Sequence, residues 1–424
     1  MSTLKVNKLR DTAGSADAIT LDPNGGAVLA GVTTVTSVKV GAAVTISESG
    51  IEASGIGITC ANINGTQIGG RRNLIINGAM QVAQRGTSST SSSYQTVDRF
   101  ITGIAISDES PTQSQHTLTS SDTGPYEEGF RSSYHITNGN QTSPNLATNN
   151  IYIRQRIEAQ NMSQSGWNYT SSSSFITLQF WVKSSVAQNF YGYLRTADGT
   201  SQRYAFETGS LSADTWTKIT KTIPGNSNLQ FNDNADNGLD VVIIPFWGTD
   251  STDSSVSLNA WGAFSSSTRT PDSTSTWYTT NDATFEITGV QLEVGSQATA
   301  FEHRSTGEEL ALCQRYYFRF TPSTHGFYGV GNVDGGNQGQ VIVNFPTEMR
   351  VKPTSLETTG TASDYQFRVT SSVNCTSVPT IDSTTTINAL VIPAASSHGF
   401  TDKSGAFFRA ANNTSYLGFA GCEL

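Results

Sequence analysis

Three kinds of side-chain chemistry set the first test of this sequence: paired carboxylates, metal-ligand clusters and activated nucleophiles. Adjacent carboxylates occur at Glu127-Glu128 and Glu308-Glu309. Cleavage of a glycosidic bond needs two carboxyls about 5 to 9.5 Å apart across a sugar ring. Neighbours on a strand point to opposite faces, and acids at a helix start serve its dipole. Neither pair is therefore expected to be catalytic. The sequence has no G-x-S-x-G elbow and no Walker loop. Gly329-Val-Gly331 with Gly335-Gly336 reads as a surface hairpin. The five histidines (His116, His135, His303, His325, His398) lack H-x-x-x-H spacing. Asp233, Asp236 and Asp240 are spaced like part of a calcium loop, but Ala235 and Ile244 stand where an EF-hand needs ligands. An Asx-turn loop is the competing reading. No catalytic residue, cofactor or metal is expected, apart from this calcium option.

Sugar recognition asks less: ring faces for stacking beside amides, carboxylates or guanidiniums. Trp277 and Tyr278 lie among Ser, Thr and Asp, and His325, Tyr328, Asp334, Tyr365, His398 and Phe400 lie near turns. These eight are the expected contact residues. Trp181, Trp247 and Trp261 have apolar neighbours and read as core.

The elements that must position such groups are strands. Of 424 residues, 36% are hydrophobic and only 14% charged. Ser, Thr, Gly and Asn fill the difference, which favours turns and the wet faces of sheets. The formal net charge of −9 argues against nucleic acid, which needs clustered cations. No apolar run is long enough to span a membrane as a helix, and the N-terminus has no signal-like apolar stretch. Cys60, Cys313, Cys375 and Cys422 lie far apart and read as reduced thiols. The expected setting is a bacterial cytoplasm, followed by assembly into a particle released by lysis.

Five segments emerge. Residues 1–30 form a leader. Residues 31–72 alternate strictly at Val38, Val40, Val44 and Ile46, then at Ile56 and Ile58. So little apolar bulk cannot make a core alone, and three copies around one axis would bury it, which gives a trimeric β shaft. Residues 73–304 hold all six tryptophans and many short strands, as in a two-sheet sandwich or jelly roll. Ser305-Thr-Gly-Glu308 is a capping-box pattern that opens a short connecting helix in 305–319. Residues 320–424 suit a smaller β domain. The fold class is all-β, an elongated trimeric fibre.

Three stretches resemble bacteriophage tail fibre proteins, in particular those of marine phages and cyanophages. They are Asn73–Gly86 (NLIINGAMQVAQRG) with Val97-Asp-Arg-Phe100; Ile287–Gly295 (ITGVQLEVG) running through Phe301-Glu-His-Arg304 to Glu308–Tyr317 (EELALCQRYY); and Phe345–Pro353 (FPTEMRVKP). The second is the most specific. The resemblance implies an N-terminus that docks on tail tube or adaptor proteins, a homotrimer, and a body similar to carbohydrate-binding jelly rolls. It also implies a distal tip that binds a host glycan, such as lipopolysaccharide, or another outer-membrane component. A tailspike-type polysaccharide depolymerase is the alternative, and a cellular carbohydrate-binding module leaves the shaft unexplained.

Overall fold

Ile151, Ile153 and Ile157 alternate with Tyr152, Arg154 and Arg156, and that period of two decides which way each side chain faces. The computed structural model describes residues 72–335, 337–395 and 401–424, together with the backbone of six short strands between residues 8 and 53. The protein is all-β, with 42% strand and 7% helix. It divides into two compact units, Met1–Ala61 and Asn62–Leu424.

The smaller unit has two antiparallel three-stranded sheets. One comprises β1 (Lys8–Leu9), β2 (Ile19–Leu21) and β3 (Ala27–Leu29); the other comprises β4 (Ser37–Val40), β5 (Val44–Ser47) and β6 (Gly50–Ala53). In the second sheet, Val38 pairs with Ile46 and Val40 with Val44 along the backbone. The contacts expected of those four side chains lie outside the described residues. So do Ile56, Ile58 and Cys60 altogether.

The larger unit begins with a two-sheet sandwich. Its strands are β7 (Ser88–Ser89), β8 (Ile101–Ala105), β9 (Thr112–Thr117), β10 (Ser132–Thr137), β11 (Asn150–Glu158) and β12 (Phe175–Ser184). The series continues with β13 (Asn189–Thr196), β14 (Gln202–Ser210), β15 (Thr217–Pro224), β16 (Asn237–Trp247), β17 (Trp261–Ala263) and β18 (Thr284–Val294). The first sheet has the order β15-β12-β18-β10-β9-β7, and the second β17-β14-β13-β16-β11-β8. Ile151, Ile153, Leu194, Phe206, Ile243 and Phe246 of the second sheet belong to one buried core with Tyr134, Ile176, Phe180, Phe285 and Ile287 of the first. Full burial of each such side chain contributes about 1.5–3 kcal/mol.

Beyond the sandwich, helix α1 (Ala159–Ser163) follows β11, α2 (Thr276–Thr279) precedes β18, and α3 (Thr306–Gln314) leads to the C-terminal sheets. At α3, Ser305 accepts from the Glu308 backbone N–H, and the Glu308 carboxylate accepts from the Ser305 backbone N–H, so both halves of the capping box form. The C-terminal strands are β19 (Phe318–Phe320), β20 (Phe327–Asp334), β21 (Gln338–Asn344), β22 (Ser355–Glu357) and β23 (Tyr365–Arg368). They continue as β24 (Ser372–Asn374), β25 (Ser377–Thr384), β26 (Asn388–Ala394), β27 (Gly405–Ala410) and β28 (Leu417–Ala420). They build a seven-stranded sheet, β24-β23-β27-β20-β21-β26-β25, and a three-stranded one, β19-β28-β22. Cys313, Cys375 and Cys422 are buried and unpaired.

One glycine in the Ile287–Gly295 stretch has a definite task. Gln179 pairs with Gln291 and Trp181 with Thr288, so Gly289 and Val290 together oppose Phe180 in a β-bulge. Gly289 has φ +63°, and a Cβ there would lie 2.7 Å from the Phe130 ring. Gly289→Ala is expected to cost about 1–3 kcal/mol, read as a lower denaturation midpoint. An unchanged midpoint would show that the strand relaxes freely at this bulge.

The stretches Asn73–Gly86, Val97–Phe100, Phe301–Tyr317 and Phe345–Pro353 meet in one buried polar junction. The Asn77 backbone N–H donates to Glu309 at 2.5 Å, while its side-chain amide donates to the Val82 and Asp98 carbonyls. Gln84 donates to the Tyr317 carbonyl and to Asp98. Burial pushes the Asp98 carboxyl up to about 6. Arg99 lies over the Tyr316 ring and donates to Glu423 at 2.6 Å and to the Arg156 carbonyl at 2.7 Å. Arg315 grips Glu158 with two bonds of 2.8 and 3.0 Å, and the Tyr316 hydroxyl adds a third. Arg350 donates to the carbonyls of Ala235, Cys422 and Glu423. These stretches tie the sandwich to the C-terminal sheets.

Candidate functional site

The outward residues of the second sheet make a face unlike the rest of the molecule. Backbone register places Arg156, Asp240, Arg195 and Arg203 side by side across β11, β16, β13 and β14. A second row runs Arg154, Val242, Tyr193, Ala205 over the same four strands, and its last three members are buried with Ile244, Trp247 and Val256 in a second apolar cluster. Tyr152 follows Arg154 along the same side of β11 by the two-residue period. Its ring lies over Gly103 of β8, where a Cβ would come within 2.1 Å of it, and stacks on Trp247 at 4.7 Å. The segment after β16 brings Phe264 and Arg269 onto the face. Arg269 sits 4.4 Å above the Trp247 ring, and Arg195 sits 4.2 Å above Phe264.

Charge on this face is unbalanced. Asp240 is buried and forms the ion pairs, at 3.3 Å from Arg156 and 3.7 Å from Arg195. Among the described residues, Arg154, Arg203 and Arg269 have no carboxylate partner. The Nε atoms of Arg154 and Arg203 are buried without a hydrogen-bond partner, and so is the Trp247 indole nitrogen. Burial draws the Arg203 guanidinium below its ordinary pKa, as expected of a cation without a counter-charge. Beside Arg203 opens a groove of about 280 Å³, lined by Ser255, Ser257, Trp261, Gly262 and Thr268 among others. Tyr152, Arg154, Arg156, Arg195, Phe264 and Arg269 are each half-buried. Guanidinium forks beside aromatic rings suit a polyhydroxylated ligand that carries carboxylate, phosphate or sulfate.

The contact residues expected from sequence lie elsewhere. Trp277 and Tyr278 are fully buried in α2. Tyr278 stacks on Phe246 at 4.2 Å, and its hydroxyl donates to Gln141, while the Trp277 indole donates to the Thr284 carbonyl. Tyr328 and Tyr365 are buried in the C-terminal core, bonded to Ser415 and to the Tyr416 carbonyl. All four are core residues, so none offers a free ring to a sugar. His325 is exposed in the turn before β20, and Asp334 ends that strand while accepting from Gln338 and Gln340. Eight strand residues hold these two roughly 25 Å apart. His398 and Phe400 lie outside the described residues. The calcium option fails on geometry: Asp240 belongs to the arginine row, Asp233 accepts from Gln164, and Asp236 accepts from Asn234. Trp247 is core, as its neighbours suggested, whereas Trp181 and Trp261 are only half-buried.

The adjacent carboxylates are occupied as well. Glu128 pairs with Lys218 and accepts from the Trp181 indole; Glu127 accepts from the Gly124 backbone. Glu308 caps α3, and Glu309 belongs to the junction.

The C-terminal sheet carries a different surface. Phe407, Val330 and Ile342 are neighbours across β27, β20 and β21, exposed by 44, 60 and 52%, and Phe327 lies 5.0 Å from Phe407. This outward stripe is apolar, and it is flanked by Arg368, in register with Phe407, and Arg409, in register with Phe327.

No protein-family model matches this chain, and no curated protein matches it either. Solved structures with partial likeness include the enzymatically active domain of bacteriophage CBA120 tailspike protein 4. That match has 10% identity and a TM-score of 0.28, and covers 52% of this chain and 21% of the tailspike. This chain thus spans about a fifth of the tailspike chain it matches. A family 4 carbohydrate-binding module is similar at 13% identity and TM-score 0.25, over 51% of this chain and 97% of the module. The family 11 module of a Clostridium thermocellum cellulase is similar at 9% identity and TM-score 0.23, over 50% and 96%. Likenesses at these scores decide neither fold nor function.

Proposed function

We propose that this chain is a phage tail fibre protein that attaches to a host surface by holding an acidic glycan across the arginine-rich face of the second sheet. One observation carries the glycan reading. Arg154 and Arg269 lie over aromatic rings with no carboxylate partner among the described residues, and Arg203, buried and bonded to the Thr268 carbonyl, also lacks one, on a chain whose net charge is −9. An overall acidic protein that keeps unneutralised cations together on one face favours an anionic ligand there. The fibre reading rests on the three sequence stretches.

Attachment without cleavage is part of the proposal. An enzyme would need a carboxyl pair facing a groove, and the adjacent pairs Glu127-Glu128 and Glu308-Glu309 are held by other partners. The test incubates the full chain with acidic host polysaccharide and follows both co-sedimentation and new reducing ends. Retention without reducing ends is expected. Release of reducing ends would support the depolymerase alternative.

Three copies per fibre would multiply weak sites into firm attachment. The stripe of Phe327, Val330, Ile342 and Phe407 is the surface we assign to contact with a second copy. Its four exposed apolar side chains gain by being covered by another chain. Val330→Asp, at a solvent-exposed site, is expected to lower the mass of the full-length particle in light scattering from three chains to one. Unchanged mass with lost adsorption would assign the stripe to the host instead.

A further inference from the structure

We infer that His116, His135 and Glu286 form a binding site for one divalent transition-metal ion, with zinc the first to test, on the outer face of the first sheet. The three residues come from three adjacent strands. His135 of β10 is in register with Glu286 of β18, and His116 of β9 is in register with Ser133, two residues from His135. Their ligand atoms all lie within 4.8 Å of one another. His116 Nδ1 is 3.1 Å from Glu286 Oε2, and His135 Nδ1 is 3.4 Å from Glu286 Oε1. Tetrahedral zinc, with bonds of about 2.0–2.2 Å, holds its ligands roughly 3.3–3.5 Å apart.

The state of His135 points the same way. Its Nδ1 is buried and makes no hydrogen bond, although it faces a carboxylate. Its Nε2 lies 3.0 Å from Thr137 Oγ1. With the ring proton on Nε2 donated to Thr137, the Nδ1 lone pair is aimed at Glu286, an unfavourable contact that a cation between them turns into a ligand pair. A hydrogen bond from the far ring nitrogen is the usual means of fixing a metal-binding histidine. Glu286 is buried, accepts from the Ser133 hydroxyl at 2.7 Å and lies 3.0 Å from the Lys183 ammonium, partners that suit a carboxylate as the third ligand. His116 is half-exposed, which leaves the fourth position open to water.

Lys183 competes for this carboxylate. Its ammonium is 3.0 Å from Glu286 Oε1 and 3.1 Å from Asp122, so it can remain on Asp122 when a metal enters. Imidazole ligands select zinc, copper or nickel over calcium and magnesium.

The test titrates zinc chloride into the untagged full chain by calorimetry, with cobalt absorption as a second readout of coordination. One ion per chain is expected. His116→Gln, at an exposed position that should not disturb folding, and Glu286→Gln should each weaken binding roughly tenfold or more. Lys183→Met should tighten it several-fold by removing a like charge. Failure of the wild-type chain to take up zinc would overturn the inference. So would His116→Gln binding as tightly as wild type, or Lys183→Met leaving the affinity unchanged.

Discussion

Arg99→Ala is expected to destabilise the larger unit by about 3–5 kcal/mol, the usual cost of breaking a buried ion pair from one side. The guanidinium is 1% exposed. Burial would lower its pKa, but Tyr316, Glu423 and Tyr94 outweigh that and raise it. Its removal leaves the Arg156 carbonyl without this donor, leaves Glu423 with Arg85 at 3.3 Å as its ion-pair partner, and opens a void over the Tyr316 ring. The backbone adds a second signature. Arg99 has φ +71°, a conformation that alanine disfavours as much as arginine does. Arg99→Gly should therefore recover roughly 1 kcal/mol relative to Arg99→Ala, although it loses the same contacts. Chemical denaturation of both variants measures the difference. Equal midpoints for wild type and Arg99→Ala would mean that the junction does not bind the sandwich to the C-terminal sheets.

The largest effect on binding is expected at Tyr152 and Arg154. Tyr152 is held flat between Gly103 and Trp247, so its ring is ordered before any ligand arrives. Arg154 lies 5.5 Å over that ring with its Nε unpartnered. Each alanine variant should lose about tenfold or more in monovalent affinity for an acidic oligosaccharide, in the range of a binding hot spot. Arg154→Ala should also flatten the salt dependence, because one charge contact is gone. Arg154→Ala leaves the main sandwich core untouched, so its unfolding midpoint should move little, whereas Tyr152→Ala also removes packing against buried Trp247 and should lower the midpoint. Normal binding by both variants would leave the face without a role in recognition.

Much of this face was legible along the chain. In Ile151–Ile157, the three isoleucines alternate with Tyr152, Arg154 and Arg156, which puts one aromatic and two cations on a single outer side. That alternation marks the strand and the side each residue takes, but not whether the polar side meets a ligand. Arg195, Arg203 and Asp240 could not be added, because register between β11, β16, β13 and β14 is a property of tertiary pairing. Phe264 and Arg269 arrive through a loop whose path no periodicity encodes.

The opposite error came from local composition. Trp277 and Tyr278 stand among Ser, Thr and Asp, which suggests an exposed loop. In the structure, a single helical turn folds both rings inward against Phe285 and Phe246. Tyr328 and Tyr365 sit near turns by sequence, yet they occupy strand positions that face the C-terminal core. The capping box was readable because it is local: Ser305 and Glu308 satisfy each other within one turn. The histidine–glutamate cluster was not, since its ligands are spread over 171 positions of sequence, from His116 to Glu286, and meet only through β9, β10 and β18. Asn73–Gly86, Val97–Phe100, Phe301–Tyr317 and Phe345–Pro353 contribute to the junction, whereas Ile287–Val294 belongs to β18 of the sandwich.

The most direct measurement compares the affinity of the full chain for one acidic host polysaccharide before and after chemical reduction of its carboxylates to alcohols. Strong loss on reduction in the wild type, with a much smaller loss in Arg154→Ala, is the predicted result. Equal affinity for the native and reduced polymers would contradict the assignment of the guanidinium face to an anionic glycan.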